Sequence, residues 1–464
     1  MIKLKEMTYQ STVAKLPNGS QKPKWLETIK VILQPIQTLE SFQQRYGDIF
    51  YSEFNSFPPQ LVISDPQAIQ EILTADSKLF ESGSGNQIIQ PLVGANSLIL
   101  LDSDRHVQQR KLLMPPFHGE RMRAYGQIIR EITEQVTSQW AIGKPFVARS
   151  SMQDISLQVI LRSVFGLEEG ERYQQINQIL VEMLNTFNSP LSATLLFFKF
   201  LQKDLGAWSP WGKFARRRQL LDQLLYQEIN ERREQGKTDG EDILSLLMSA
   251  RDEADQPMTD TELRDELMTM LFAGHETTAI ALAWALYWIH YVPEVREKLL
   301  QELNSIDIAN ADPMAIAQLP YLNAVCCETL RIYPVAFFCF PRILRTDMQF
   351  MGYDLPKGMY LSICIYLTHQ RPDVYPEPKR FRPERFLERQ FSPYEFIPFG
   401  GANRRCLGAA FAMFEMKLVL ANILSQYSLE LLDKVPLQPV RRGIVFAPPG
   451  GVHLAVREKM EIGD

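Results

Sequence analysis

Helical periodicity dominates the pattern of apolar and polar positions between about residue 104 and residue 333, where apolar residues recur every three to four positions. Breaks interrupt the long amphipathic runs near Gly143, Gly166, Pro190 and Gly236. Strand-like pieces occur at residues 49–54, 61–64, 342–346 and 359–366. The first two are separated by Pro58 and Pro59 and predict a small hairpin. The pattern therefore predicts a mainly α fold with small β-sheets.

Two helices are especially clear in this pattern. The first begins with the sequence from Thr259 to Glu262, a capping box in which Glu262 reaches back to the free amides, and it continues to about Tyr291, before Pro293. At the standard rise per residue it would be about 45 Å long, enough to cross a domain. The second runs from Leu407 to about Tyr427 and is apolar nearly all round, so we expect it to be buried.

The composition is that of a globular enzyme, with 45% hydrophobic and 22% charged residues. Residues 1–35 are rich in Lys, Pro and polar residues and are interpreted as a loosely packed N-terminal arm. Residues 36–464 are interpreted as a single domain, because no internal repeat and no Gly/Ser linker divides them. A net charge of −5 argues against bulk attraction to nucleic acid.

The cysteines and the N-terminus indicate the compartment. The five cysteines form an odd set without CxxC spacing, which favours a reducing intracellular environment. The N-terminus lacks the apolar core of a signal peptide, and no stretch approaches the roughly 18 apolar residues of a membrane span. We therefore expect a cytoplasmic protein without a transmembrane segment.

One cysteine has an unusual setting. The glycine-rich loop from Phe399 to Gly408 delivers Cys406 to the predicted first turn of the second buried helix. Free backbone amides and the positive end of the helix dipole favour a thiolate there. A lone buried cysteine is more often an inert core thiol, so the interpretation depends on the surrounding loop.

That loop resembles the haem-binding signature of the cytochrome P-450 family, Phe-x-x-Gly-x-Arg-x-Cys-x-Gly. The resemblance implies the cytochrome P-450 fold, with the long central helix crossing the haem, and haem b (iron protoporphyrin IX) as cofactor. It further implies that Cys406 ligates the iron and that Arg404 pairs with a haem propionate. The chain departs from the family at Ala402, where a glycine is usual. The resemblance also implies cofactor contacts by Phe399 and Gly408 in the cysteine loop and by Ala273 in the long helix.

A second motif is Glu328-Thr329-Leu330-Arg331, which places Glu328 and Arg331 on one helix face. Alone, this spacing is equally typical of a surface ion pair. The resemblance implies instead a buried network that supports the cysteine loop, with Arg385 of the sequence Pro383-Glu384-Arg385-Phe386 as its third member.

A third motif, from Ala273 to Thr278, lies in the middle of the long helix. Gly274 is a poor helix former and Thr277 can bond a backbone carbonyl one turn earlier, so the helix could open into a groove for oxygen. The resemblance implies that Glu276 and Thr277 relay protons to iron-bound dioxygen. A back-bonded structural threonine is the alternative. His275 is interpreted as structural, because no metal-site spacing surrounds it.

Two weaker matches concern the haem propionates. The sequence from His106 to Arg110 resembles a family helix that touches the propionates, although many members have Trp at the position of His106. Arg342, after Pro341, resembles another propionate-binding arginine. For each arginine alone, a solvated surface role is the default.

The regions that match the family's substrate contacts are apolar, including the stretch Leu195–Phe198. Their predicted pocket residues are Leu98, Phe272, Ala273, Ala336, Phe337 and Phe446. Ordinary core packing would explain many of these residues as well. We expect a long or bulky lipophilic substrate, such as a fatty acid or a terpenoid.

The resemblance implies a monooxygenase that hydroxylates its substrate with dioxygen. Because the haem fold accounts for the whole length, electrons should come from a separate ferredoxin or flavodoxin with its reductase. A basic docking surface could comprise Arg110, Lys111, Arg121, Arg123 and Arg405. The alternatives are a haem-thiolate isomerase, dehydratase or peroxygenase and, in a different class, a haem-based sensor or electron carrier.

Overall fold

The structure is a computed structural model that describes residues 16–54, 58–117, 119, 121–167, 170–186, 201–206, 208–236, 240 and 242–460. Within these ranges helices predominate. The α-helices are α1 (Lys24–Leu33), α2 (Pro35–Tyr46), α3 (Pro66–Thr74), α4 (Gln90–Val93), α5 (Ser103–Leu113), α6 (Arg121–Thr137), α7 (Ala148–Phe165), α8 (Glu171–Asn185), α9 (Pro210–Gln235), α10 (Ile243–Ser249), α11 (Asp260–Tyr291), α12 (Pro293–Leu303), α13 (Pro313–Ala317), α14 (Pro320–Ile332), α15 (Ile365–His369), α16 (Arg385–Glu388) and α17 (Ala409–Gln426).

The strands are short and form small sheets. They are β1 (Ile49–Ser52), β2 (Gln60–Ile63), β3 (Phe80–Glu81), β4 (Pro145–Val147), β5 (Arg342–Leu344), β6 (Met348–Phe350), β7 (Tyr353–Leu355), β8 (Tyr360–Ile363), β9 (Tyr427–Leu431), β10 (Val440–Arg442), β11 (Val445–Ala447) and β12 (His453–Lys459). In the described residues the largest sheet has the order β1-β2-β8-β5-β3, a second has the order β4-β12-β9, and β6-β7 and β10-β11 are separate hairpins. The predicted mainly α fold is confirmed.

The predicted hairpin and strands are also present. Strands β1 and β2 pair antiparallel, from Ile49 opposite Ile63 to Ser52 opposite Gln60. Strand β8 adds to β2 in parallel and to β5 antiparallel, which joins distant parts of the chain in one sheet. The predicted strand at 359–366 is shorter than expected, because the chain turns into α15 at Ile365.

Helix α11 has the predicted bounds and the predicted cap. The Thr259 side chain accepts a hydrogen bond from the Glu262 amide, and the Glu262 side chain accepts one from the Thr259 amide. The helix ends at Tyr291, and Pro293 opens α12. Because α11 packs against α7, α14 and α17, it passes through the main core.

Helix α17 is buried, as predicted, but it begins later than expected. Its first residue is Ala409, Gly408 is its N-cap, and Tyr427 already belongs to β9. The prediction that Cys406 lies in the first helical turn is therefore wrong. Cys406 precedes the helix because the loop closes on itself, with the Cys406 amide donating to the Phe399 carbonyl at 2.9 Å.

The N-terminal segment is more ordered than its composition suggested. Residues Lys24–Leu33 form α1, and Val31 packs against a core cluster that contains Phe337 and Phe446. The expected irregular arm thus includes a helix, because tertiary contacts outweigh the weak local signal. The boundary between arm and domain at residue 35 stays a prediction. Among the described residues, no helix combines the length and apolar character needed to cross a bilayer.

Candidate active site

The cysteine loop is a strained turn that leads into α17. Residues Ala402–Arg404 form a single 3-10 turn between Gly401 and Arg405. Gly400 has φ +67° and Ala402 has φ +54°, both in the left-handed region that favours glycine. The departure from the family at Ala402 thus lies at a position whose backbone conformation explains why a glycine is usual there.

Cys406 is an exposed residue, although protein atoms surround its thiol closely enough for desolvation to raise the pKa of that thiol. The Gly408 backbone amide and the Arg110 and Arg405 cations act in the opposite direction and lower that pKa. The sequence alone favoured a thiolate, whereas burial outweighs the amide and the cations in the folded chain. A metal ion at the sulfur would deprotonate it outright.

Basic side chains from three distant segments converge beside this loop. His106 and Arg342 are buried, and Arg404 and Arg110 are half-buried. Burial, together with the neighbouring Arg404 and Arg110, lowers the pKa of His106 to about 4. Burial likewise lowers the pKa of Arg404 to about 10, with Arg342 and Arg110 adding repulsion. The four predicted propionate-binding residues therefore share one electrostatic environment with an excess of positive charge.

Sequence reasoning missed the anion in this cluster, Asp102. Its carboxylate accepts hydrogen bonds from Arg404 at 2.7 Å and from the amides of Ser82 and Gly83 at 2.8 and 3.0 Å. Arg404 also donates to the Leu101 carbonyl at 2.6 Å. Asp102 is the N-cap of α5, and only the tertiary structure brings it to Arg404.

The cluster borders a cavity of about 280 Å³, lined in part by Arg342, Arg345, Asn403 and Arg404. Arg342 makes only long contacts there, with its guanidinium nitrogens 3.4 Å from the Ser82 hydroxyl and from the Gly401 carbonyl. Its charge is thus weakly compensated by the protein. A carboxylate group would fit this position.

The structure brings together Glu328, Arg331 and Arg385, which are all buried. Arg331 donates two hydrogen bonds to the Glu328 carboxylate, at 2.6 and 2.8 Å, and Arg385 donates a third at 3.1 Å. The Arg382 amide donates a fourth at 2.8 Å, and Arg331 also bonds the His369 carbonyl. The carboxylate is therefore fully satisfied by groups from α14 and from the segment around α16.

The middle of α11 carries the predicted threonine. The Thr277 hydroxyl donates to the Ala273 carbonyl at 2.7 Å, as expected from its position. The helix is nevertheless continuous from Asp260 to Tyr291, so the predicted opening of the helix is not present. Gly274 has another role, because a Cβ there would lie 2.3 Å from Cδ1 of Ile160 in α7. The glycine permits close packing of α7 and α11.

Glu276 lies next to Thr277 but is held by α7. Its carboxylate pairs with Arg149 at 3.1 Å and accepts a short hydrogen bond from Gln153. Neither partner was identified from the sequence, because both lie more than a hundred residues earlier in the chain. His275 is buried with Nδ1 2.7 Å from the Leu271 carbonyl, and burial lowers its pKa, which agrees with a structural residue.

The predicted pocket residues differ in their exposure. Ala273 is exposed on an otherwise interior helix, and Phe272 and Ala336 are half-buried. Phe337 and Phe446 are buried and stack on each other with centroids 3.6 Å apart. Leu98 is buried, and its amide donates to Glu266 at 2.8 Å. The predicted apolar stretch Leu195–Phe198 lies outside the described residues.

These features fit a haem. Cys406 is an exposed residue whose thiol is also crowded by protein atoms, and Ala273 is exposed on the largely buried helix α11. Asp102 pairs with Arg404, while Arg342 makes only hydrogen bonds of 3.4 Å with described residues, which leaves positive charge for propionates. When bound, haem supplies the iron at which dioxygen is activated. Cys406 would hold the iron, while Arg342, Arg404, Arg110 and His106 would hold the propionates.

The fold and this donor set define a haem-thiolate protein. The family model "Cytochrome P450" matches residues 19–455, so the chain belongs to the cytochrome P450 family. Cytochrome P450 135B1 of Mycobacterium tuberculosis is 34% identical over 448 residues, covering 96% of this chain and 92% of that protein. Cytochrome P450 138 of the same organism is 32% identical, covering 96% and 97%.

Solved structures show the same architecture. A retinoic acid-bound cyanobacterial protein, CYP120A1, superposes with a TM-score of 0.85 at 28% identity, covering 96% of this chain and 100% of that chain. The haem domain of cytochrome P450DA superposes with a TM-score of 0.82 at 22% identity, covering 96% and 98%, and shares the fold. Family membership makes this chain an oxidoreductase of the haem-thiolate monooxygenase class.

Proposed function

We propose that the protein hydroxylates a long or bulky lipophilic molecule, such as a fatty acid or a terpenoid, with dioxygen and electrons from a separate donor. The observation that carries the proposal is the exposed residue Cys406 in a loop beside a cluster of arginines, together with the exposed apolar residue Ala273 on α11. The proposed cofactor is haem b, and the cytoplasmic location stays a prediction.

The apolar character of the proposed pocket supports a lipophilic substrate. Phe272, Ala273 and Ala336 offer no charge to a polar molecule. The similar cyanobacterial structure is described as bound to retinoic acid, a long molecule that is apolar except for one carboxyl group. Fatty acids and terpenoids added to the purified ferric protein should shift its Soret band. A preference for small polar molecules would contradict the substrate class.

Iron ligation by Cys406 has a direct spectroscopic test. Carbon monoxide added to the dithionite-reduced protein should give the Soret band of thiolate ligation, and Cys406→Ser should abolish it. Cys326→Ser is the matched control, because Cys326 is a buried thiol on α14 whose pKa burial raises to about 12. A band of imidazole ligation, or an unaltered spectrum in Cys406→Ser, would contradict the proposal.

Thr277 and Glu276 are the proposed proton path. Thr277 holds its proton at Oγ1 toward the Ala273 carbonyl, whereas Glu276 is tied to Arg149 and Gln153. Glu276 would have to leave Arg149 in order to pass a proton onward. Thr277→Ala should divert oxygen to hydrogen peroxide, whereas a peroxygenase or isomerase would not depend on this residue. An unchanged product yield per NADPH in Thr277→Ala would show that Thr277 is not part of the proton path.

The proposed electron donor is an acidic ferredoxin or flavodoxin. Of the predicted basic docking residues, Lys111 pairs with Glu253 at 2.7 Å and Arg123 pairs with Asp312 at 2.9 Å. Arg121 and Arg405 are exposed and Arg110 lies near Cys406, so these three carry most of the proposed attraction. Reduction by an acidic donor should slow as salt is added. Reduction that is insensitive to salt would exclude this docking surface.

A further inference from the structure

In helix α1 a carboxylate is buried and large apolar side chains are exposed, which is the reverse of the usual distribution. The buried carboxylate, Glu27, is 2% exposed and accepts a hydrogen bond from Ser20 at 3.0 Å. Trp25, Ile29 and Leu33 repeat at four-residue spacing and are 57%, 45% and 70% exposed. Residues at this spacing share one helix face. The outer face of α1 therefore presents three large apolar side chains that nothing in the described chain covers.

A second exposed apolar segment lies near the C-terminal end of α1. The Gln37 side-chain amide, just after Leu33, donates to the Gln438 side chain at 3.2 Å, which places the connection between β9 and β10 beside the start of α2. In and next to that connection, Val435 is 71% exposed and Val440 is also exposed. Contiguous exposed apolar patches on a monomer mark interaction surfaces. We call Trp25, Ile29, Leu33, Val435 and Val440 the α1 patch.

The charge around the α1 patch has a definite sign. Residues 16–30 contain three lysines and one glutamate, whereas the whole chain has a net charge of −5. Lys22 lies just before α1, and Lys30 flanks the exposed apolar face on the helix itself. Lys434 precedes Val435. The glutamate in this segment, Glu27, is buried and does not offset this surface charge.

From these observations we infer that the α1 patch docks on an anionic lipid surface. An interfacial helix has Trp and Leu on one face and flanking lysines, and it lies in the plane of the headgroups. The inverted distribution in α1 fits this arrangement. Val31, on the inner side of α1, packs on the core cluster that contains Phe337 and Phe446, two proposed pocket residues. Docking would therefore hold the proposed pocket close to the membrane, in which lipophilic molecules dissolve.

The test is co-sedimentation of the purified holoprotein with vesicles. Vesicles of equal parts phosphatidylglycerol and phosphatidylcholine should bind the protein, and phosphatidylcholine vesicles should bind it weakly. The double variant Trp25→Glu, Leu33→Glu should lower the partition coefficient at least about tenfold, because it replaces inserted apolar groups by charges. The double variant Lys22→Glu, Lys30→Glu should lower binding to the anionic vesicles alone.

Leu387→Glu is the matched control, since Leu387 is 50% exposed on α16 and should not alter binding. The carbon monoxide spectrum of each variant shows that it is folded, so a failure of lipid docking is distinct from a failure of the proposed haem chemistry. Three results would overturn the inference: no binding of the wild type, equal binding of the Trp25→Glu, Leu33→Glu variant, or self-association through the α1 patch without lipid.

Discussion

At the residue scale, Ala402 is the clearest conflict between a side chain and its backbone. Its φ of +54° lies in the left-handed region, where a Cβ costs about 1–2 kcal/mol. The residue persists because the loop is fixed on both sides, by the Cys406 amide bond to the Phe399 carbonyl and by the ion pair of Arg404 with Asp102. The strain is therefore local and removable.

Ala402→Gly should stabilise the holoprotein by about 1 kcal/mol, since relief of the left-handed strain exceeds the added entropy of the unfolded glycine. The opposite change at Gly400, which has φ +67°, should destabilise it by a similar amount. The space at Gly400 would accept a methyl group, because the nearest atoms to its Cβ lie at 3.8 Å. Urea unfolding of both variants checks this pair, and equal stability of Gly400→Ala and wild type would contradict it.

The Glu328 network is a second residue-scale feature with a large expected effect. Arg331→Met leaves a buried carboxylate with one of its arginine partners removed, which should cost about 3–5 kcal/mol. Arg382→Met is a matched control, because its side chain pairs with exposed Glu388 and its backbone amide still bonds Glu328. That surface pair is worth about 1 kcal/mol or less. Similar losses in urea unfolding for both variants would show that the network adds no special stability.

At the element scale, the contact between α7 and α11 positions the candidate site. Gly274 lets the two helices approach, and α7 supplies the Arg149 and Gln153 that hold Glu276. Packing against α7 thus fixes both the position of α11 in the core and the orientation of the Glu276 carboxylate. Helix propensity alone would disfavour Gly274, so packing explains its presence.

Gly274→Ala should cost about 1–3 kcal/mol, because the new methyl group would lie 2.3 Å from Cδ1 of buried Ile160. Ile160→Val removes that Cδ1 and should restore most of the loss when the two changes are combined. A double-mutant cycle on urea unfolding measures this coupling. Independent effects of the two substitutions would mean that Ile160 moves aside freely.

At the scale of the whole molecule, two buried carboxyl groups make stability depend on pH. Burial raises the pKa of Glu266 and of Glu415 to about 8, from 4.5 in the unfolded chain. Between pH 4.5 and about 8 the folded state keeps these two protons, whereas the unfolded chain has lost them. The stability linked to them is therefore present below pH 4.5 and lost as the pH rises through 8. The histidines His106, His275, His290 and His369 have pKa values lowered by burial, so their effect lies below pH 6.5.

Between pH 6.5 and 8 the two carboxyl groups should therefore dominate, and the wild type should lose on the order of a few kcal/mol. Glu415→Gln mimics the protonated group and should flatten this loss by about half. Glu297→Gln, at an exposed position on α12, should leave the pH profile unchanged. Urea midpoints measured at about pH 6.5, 7.25 and 8 provide the comparison. Parallel profiles for Glu415→Gln and wild type would contradict the assignment of the pH dependence to these two carboxyl groups.

The sequence by itself determined the mainly α class, the bounds of α11 and the β1-β2 hairpin. These depend on local signals: a capping box, a proline stop and short apolar runs between prolines. The loop around Cys406 and the Glu328 and Arg331 pair were also identifiable, because they are close in the chain.

Only the tertiary structure decided the partners and the environment of these residues. Asp102 reaches Arg404, and Arg149 reaches Glu276, across more than a hundred residues of chain. The raised pKa of the Cys406 thiol and the close approach at Gly274 arise from burial against segments that no local pattern specifies. The physical reason is that burial and long-range pairing are properties of the packed molecule, whereas caps and periodicity belong to the neighbouring residues of one segment.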